Sequence, residues 1–321
     1  MATQTLPEFI SEITGLGNFG VAGEFVAAIV GAGIIGTIML TYTGIAGPWA
    51  KRKITAAFTD RYAANRMGPF GLLTIPADAL RLLSKELIIP ENVDRPAFDI
   101  APLIVAGSAL LAFAVIPMGS LFGINMQIAD PESGLAFAFA IASIATLGLT
   151  MAGYASANKF SFMGSLRAIA QNIAYEIPLV ITGASVVIFA GSLQMSEIVA
   201  AQTIGGGTEP LFAIGGLQIP PWFAFVNPFA FVLFLIANLA EVGRNPFDIP
   251  EAPTEIVAGY QTEYSSAYFV LFYLGEFVHI FLGGAILAVT FLGGASGPGP
   301  ESIGFIWFVV KVWGFFLFTQ W

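Results

Sequence analysis

Cysteine is absent from this 321-residue chain, and histidine occurs once, at His279. Without thiolates the chain cannot hold an iron–sulfur cluster or form a disulfide. A single histidine leaves neither a haem with two histidine ligands nor a histidine-rich zinc site. Charge is scarce as well: 10% of residues are charged, against about 25% in soluble domains. The basic residues number 12 against 21 acids, for a net charge of −9. They form no stripe suited to nucleic acid, so no nucleic-acid partner is expected. The triplet Gly205, Gly206, Gly207 lacks the strand and spacing of a nucleotide fingerprint. The opening MATQTLPEFISEITG has no basic start, so no cleaved leader is expected. On these grounds the chain is not expected to carry electrons itself.

Apolar residues are what remains. They make up 56% of the chain, with 30 phenylalanines and 36 glycines, and mean hydropathy is +0.81. That is the composition of an all-α polytopic membrane protein. Runs of about 20 apolar residues suffice to cross a bilayer. Six complete ones stand at 23–47, 97–118, 135–155, 173–194, 222–243 and 263–292, and a seventh begins near 302. Residues 4–18 differ. Leu6, Phe9, Ile10, Ile13 and Leu16 fall on one helical face with Glu8 and Glu12 opposite, the pattern of a short helix lying in the interface. The whole chain, 1–321, reads as one transmembrane domain.

Basic residues settle the expected orientation. Lys51, Arg52, Lys53, Arg61, Arg66, Arg81, Lys85 and Arg95 all fall in the first loop, 48–96. Lys159 and Arg167 fall in the third, 156–172, and Arg244 in the fifth, 244–262. Even-numbered loops have none, so the odd loops are expected to be cytoplasmic and the N-terminus outside. Within the first loop Ile54, Ala57, Phe58 and Tyr62 suggest an amphipathic helix.

The fifth loop is the anomaly. AEVGRNPFDIPEAPTEIVAGYQTEY, residues 240–264, carries Glu241, Asp248, Glu251, Glu255 and Glu263 beside membrane spans. Pro246, Pro250 and Pro253 forbid continuous helix, so this backbone must pack on protein or water rather than lipid. Three more observations concern the spans. Glu176 and Glu241 sit near the cytoplasmic ends of the fourth and fifth, and Glu276 lies 13 residues after Glu263 in the sixth. Buried carboxylates are candidates for proton exchange because burial raises their proton affinity. One alone could equally be a structural acid, but three on successive spans beside an acidic loop favour a relay. His279, three residues after Glu276, reads as a packing residue. Glu24 and Asp99, at span ends, are expected to face headgroups or water.

The fifth-loop string resembles the signature of the quinone-chamber membrane subunit of respiratory complex I, a family shared by bacteria and mitochondria. NRMGPFGLL, PADALRLLSKE and DRPAFDIAP in the first loop, and GYASANKFSFMGSLRAIAQNIAYE around the third, match further elements of that family in order. The resemblance implies eight transmembrane helices, of which this chain holds seven, the last falling beyond its end through truncation or a naturally short form. It implies that Arg61, Arg66, Arg244, Asp248, Glu251 and Glu255 border a quinone chamber, and that Glu176, Glu241 and Glu276 continue an acidic path. Lys159 and Arg167 match the family's basic positions and fit equally as positive-inside anchors. The implied substrate is a quinone, ubiquinone or menaquinone. The implied partners are peripheral iron–sulfur and quinone-site subunits, antiporter-like membrane subunits and membrane lipids. Location would be a prokaryotic cell membrane or an organellar inner membrane. Two departures stand out. Pro253 replaces the middle acid of an ExExE pattern, and Lys51 stands where a Glu often precedes the Arg-Lys pair. The nearest alternative is the related membrane subunit of a membrane-bound hydrogenase; a stand-alone ion transporter is a more distant one, since no internal repeat is visible.

Overall fold

A computed structural model describes residues 4–14, 21–121, 124–203, 212–214, 217–250, 253–297 and 303–320. Glu251, Leu16, the 205–207 triplet and the side chain of Glu24 lie outside the described residues. A backbone in hydrocarbon must satisfy its own hydrogen bonds, and helix is the local way to do so. The chain accordingly folds into α1 (Leu6–Thr14), α2 (Val21–Phe58), α3 (Thr74–Leu83), α4 (Arg95–Ala112), α5 (Gly134–Ala155), α6 (Lys159–Ala190), α7 (Met195–Ala201), α8 (Phe223–Val226), α9 (Pro228–Glu241), α10 (Pro253–Ile256), α11 (Ser266–Phe291) and α12 (Gly304–Gln320). Among the described residues, α2, α4, α5, α6 and α11 supply five helices long and apolar enough to cross a membrane. Short strands flank them. β1 (Gln4–Thr5) pairs with β3 (Ile124–Asn125), which also pairs with β2 (Ser120–Leu121), while β4 (Phe212–Ile214) and β5 (Leu217–Ile219) form a hairpin.

Several boundaries differ from the hydropathy reading, each for a local reason. The run at 222–243 is broken at Asn227, whose side chain accepts from the Ala230 N–H at 3.2 Å and starts α9 with Pro228 in its first turn. α9 has 14 residues, about 21 Å of helix. α2 and α6 run the other way. With 38 and 32 residues they span about 57 and 48 Å, well beyond the roughly 30 Å apolar core of a bilayer. Their surplus turns extend into the odd-numbered loops. Residues 159–172, assigned to the third loop, are thus the first half of α6, capped by Asn158 accepting from the Phe160 N–H at 2.9 Å. The amphipathic helix expected around Ile54–Tyr62 is instead the end of α2. It stops at Phe58, Tyr62 is 95% exposed, and the separate helix of this loop is α3.

α1 lays Leu6 and Ile10 against α2 beside Gly31, while Ile13 of the same apolar face is 69% exposed. α11 is the central element. Its second half, Ile280 to Phe291, is buried throughout, and Phe281 stacks on Phe316 of α12 at 5.0 Å while meeting Tyr42 of α2 edge-on at 5.5 Å. Asn238 of α9 donates to the Gly283 carbonyl at 2.8 Å, tying α9 to α11 through a buried amide. At the even-loop end, the Lys311 ammonium donates to the carbonyls of Leu292, Gly294 and Ser296 at 2.6–2.8 Å and lies over the Trp222 ring. A cation there satisfies the carbonyl of the α11 C-cap, Leu292, and two carbonyls of the turn beyond it, which explains a lysine inside an apolar helix.

The odd-numbered loops are bonded into one layer. Ser265 both donates to the Ile88 carbonyl and accepts from its N–H, at 3.1 and 3.0 Å. Ser266 donates to Leu82 and Lys85 carbonyls, Asn158 to Glu263, and Ser161 to the Tyr260 carbonyl. Asp99, expected to face headgroups or water, accepts from the Tyr268 hydroxyl at 2.9 Å and lies 3.6 Å from Arg95. Gly164 of α6 allows this layer to close: a Cβ there would stand 2.7 Å from the Gly259 Cα and 2.9 Å from the Tyr260 nitrogen. Both are backbone atoms that cannot rotate away. Gly164→Ala should therefore lower thermal stability by about 1–3 kcal/mol, the range for overpacking. Gly314→Ala, where a Cβ meets nothing within 4 Å, should leave it unchanged. Equal melting of both variants would contradict the close approach.

Candidate functional site

α9 ends at Glu241, and the chain turns immediately. Gly243 adopts φ 66°, a left-handed conformation that glycine reaches at least cost. The Val242, Gly243 and Arg244 N–H groups bond back to Asn238, Ala240 and Leu239 carbonyls. This turn sends Arg244 to Glu276 of α11, where the guanidinium lies 2.6 Å from the carboxylate, the two side chains only 11% and 16% exposed. Glu276 lies ten residues past Ser266 (276 − 266), about 15 Å along α11. The fifth loop thus dips into the helical bundle to meet it.

Phe277, fully buried, is flanked by two cations: the Arg244 guanidinium at 5.5 Å and the Lys51 ammonium of α2 at 5.7 Å from its ring centre. Such contacts contribute about 0.5–2 kcal/mol each. They also bring Lys51 into the site, at the position where the family resemblance leads one to expect a Glu. Asp248 completes the cluster. Burial and the Glu276 carboxylate push its carboxyl above the ordinary range, against the opposing pull of Arg244 and Lys51. Phe247 holds this turn down by packing edge-on against Tyr175 of α6 at 5.2 Å.

Two cavities lie beneath. The first, of about 80 Å³, is walled by Asp248, Glu276, Gln171, Glu241 and His279 among others. The second, of about 40 Å³, is walled by Glu241, His279, Glu176 and Asn238 with apolar residues of α5, α6, α9 and α11. Glu241, Val242 and His279 belong to both walls. A water needs roughly 10–15 Å³ measured in this way, so each cavity has room for several. Their walls also present unpaired polar atoms. Among the described residues Glu241 Oε2, Gln171 Oε1 and both His279 ring nitrogens are buried without hydrogen-bond partners. Such groups are costly in a dry interior and recruit water when space allows. Gln171 is nonetheless fixed, because its amide donates to the Ala240 carbonyl at 2.6 Å.

Of the residues singled out from the sequence, the fold brings together Arg244, Asp248, Glu276, Glu241 and Glu176. Glu255 stands apart. It is exposed and paired with Arg167 of α6 at 2.5 Å, so Arg167 holds the fifth loop as well as carrying positive charge. Arg61 and Arg66 lie exposed on the first loop and line neither cavity; Arg61 donates to the Thr59 hydroxyl at 3.0 Å. Sequence reasoning misses Lys51, Gln171 and Asn238 as site residues, although two polar amides inside apolar helices are themselves a signal.

The family model described as NADH dehydrogenase matches residues 31–321. An H subunit of the NADH-quinone oxidoreductase of Geobacter metallireducens is 43% identical over 278 residues, covering 85% of this chain and 79% of that protein. The NADH-quinone oxidoreductase H subunit of Thermomicrobium roseum is 40% identical over the same length and coverage. Its Bacillus cereus counterpart is 40% identical over 298 residues, 91% of this chain and 80% of the relative.

The ion pair at the centre of the site makes a specific stability prediction. Removing one partner of a buried pair strands the other, at about 3–5 kcal/mol. Arg244→Met should destabilise the chain by that order, and adding Glu276→Gln should recover much of the loss. A double variant no more stable than Arg244→Met would contradict the pairing.

Proposed function

The chain belongs to the NADH dehydrogenase family, as a membrane subunit of the quinone oxidoreductase known as complex I, and from that premise we propose that it couples quinone reduction at its odd-loop rim to proton movement through the two cavities. It is part of an enzyme complex, and the names of its relatives favour the quinone enzyme over the hydrogenase.

The proposed topology has seven crossings: α2, α4, α5, α6, α8 with α9, α11 and α12, with α1 at the interface. The N-terminus lies outside, and the odd loops are cytoplasmic by the alternation of basic residues. Loops 48–96, 156–172 and 244–262 form the chamber side. Arg61 and Arg66 present exposed donors there beside Tyr62 and Phe70, also exposed. That mixture suits a quinone head and tail once a peripheral subunit closes the chamber. Glu251 and Glu255 would border the same space. Electrons would come from an iron–sulfur cluster in the peripheral subunit.

The series arrangement of the two cavities carries this reading. Reduction of a quinone beside the fifth loop adds negative charge and draws protons. Asp248, whose carboxyl is pushed upward by burial and by Glu276, lies in the fifth loop and is the group that would respond first. Its charge acts on Glu276, and the Arg244 pairing with Glu276 shifts in turn. Protons then redistribute through the first cavity to Glu241 and through the second to Glu176, and from there to antiporter-like membrane partners.

Glu176→Gln and Glu241→Gln are cleaner tests than a change at Glu276, because neither strands Arg244. With the intact complex in vesicles, each should cut proton translocation about a hundredfold, the lower range for loss of a positioned proton-transfer group, while the complex still assembles. Wild-type translocation in both variants would remove these carboxylates from the path.

A further inference from the structure

The sequence alone reads His279 as a packing residue, and its surroundings do not fit one. A packed histidine pairs at least one ring nitrogen, since buried polar groups are nearly always bonded. Here both Nδ1 and Nε2 are buried, and neither has a hydrogen-bond partner. The ring stands in the wall of both cavities. It lies on α11 one turn beyond Glu276, which places the two side chains on one helical face.

The charged groups around it come from every side. Glu276 is on its own helix, Glu241 on α9 and Glu176 on α6, while Asp248 enters from the fifth loop. Arg244 is engaged with Glu276, and Lys51 of α2 lies at the Phe277 ring. Four carboxyl groups therefore share two cavities, and the ring stands where the cavities meet.

We propose that His279 is a proton-transferring residue at the junction, handing protons between the water of the Asp248–Glu276 cavity and that of the Glu176 cavity. This rests on the proton path proposed above and adds to it a group that is not a carboxylate. Neutral imidazole has one N–H and one lone pair on separate nitrogens, so it can take a proton on one side and release one on the other. The Asp248 carboxyl O–H bond breaks and its proton passes to a water of the first cavity, which as it takes that proton gives one of its own to the lone pair on one ring nitrogen. The N–H bond on the other nitrogen then breaks, and that proton passes to water in the second cavity and on to the Glu176 carboxylate. The ring ends neutral, in the opposite tautomer, and rotation about its χ angles restores the starting arrangement. No electron is moved.

The test uses the intact complex in vesicles, with His279→Gln and His279→Ala introduced in this chain and proton translocation followed during quinone reduction. Glutamine keeps polar atoms but cannot carry a proton through. Both variants should translocate about a hundredfold fewer protons. Added imidazole should restore translocation in His279→Ala, whereas pyrazole, of the same size but barely basic, should not. Wild-type translocation in His279→Gln, or equal restoration by pyrazole and imidazole, would overturn the proposal, because the ring would then only fill space. Glu241→Gln run alongside separates the two levels. Its loss of translocation beside an unaffected His279→Gln overturns the histidine assignment alone. Unaffected translocation in both overturns the path as well.

Discussion

The contact between Arg244 and Glu276 governs everything else in the site. It joins the irregular acidic fifth loop to the central helix, and it does so where solvent hardly reaches. Two ions in such a place cost several kcal/mol each to desolvate, offset only when geometry is good and the pair is intact. Lifting the fifth loop from α11 while the pair is charged would leave Glu276 without its counter-ion. A change in the protonation of Glu276, or in the charge of Asp248 beside it, alters the balance holding the loop down. On the function proposed above, this would give chemistry at the rim a mechanical handle on the helices below.

The handle is useful because α11 is fixed elsewhere. At its far end Lys311 binds three terminal carbonyls, and the Gln202 amide donates to Val289 and Thr290 carbonyls while accepting from the Phe223 and Gly293 N–H groups. At its near end Ser265 and Ser266 are bonded to the first loop. Glu276 and His279, which α11 carries between these ends, are thus held in place by rigid elements, as proton transfer over short distances requires. The cavities occur where the packing of α5, α6, α9 and α11 leaves space around carboxyl and imidazole groups instead of closing on methyl groups.

Much of this is legible in the sequence. Hydropathy locates the long helices because a backbone in hydrocarbon has few alternatives, and the acidic fifth loop marks itself by its prolines and charge. Helix ends are less legible. α2 and α6 continue past the apolar runs into residues such as Lys51, Arg167 and Gln171, which are good helix formers but register as loop to a hydropathy window. The break at Asn227-Pro228 is visible as a cap followed by proline, yet apolar residues on both sides hide it from the same window. The pairing of Arg244 with Glu276 cannot be read, since it depends on how far the fifth loop descends. Glu255 looks equivalent to Asp248 in the sequence, yet it turns outward to Arg167. His279 is undervalued for the converse reason: whether a lone histidine is satisfied depends on neighbours from other helices.

Whether quinone chemistry at the rim reaches the buried carboxyl groups is open to direct examination by infrared difference spectroscopy of the intact complex, recorded as its bound quinone is reduced. The protonated-carboxyl band should change on reduction, with a component that disappears when Glu241 is replaced by glutamine. A carboxyl band unmoved by reduction, or one identical in that variant, would contradict the coupling.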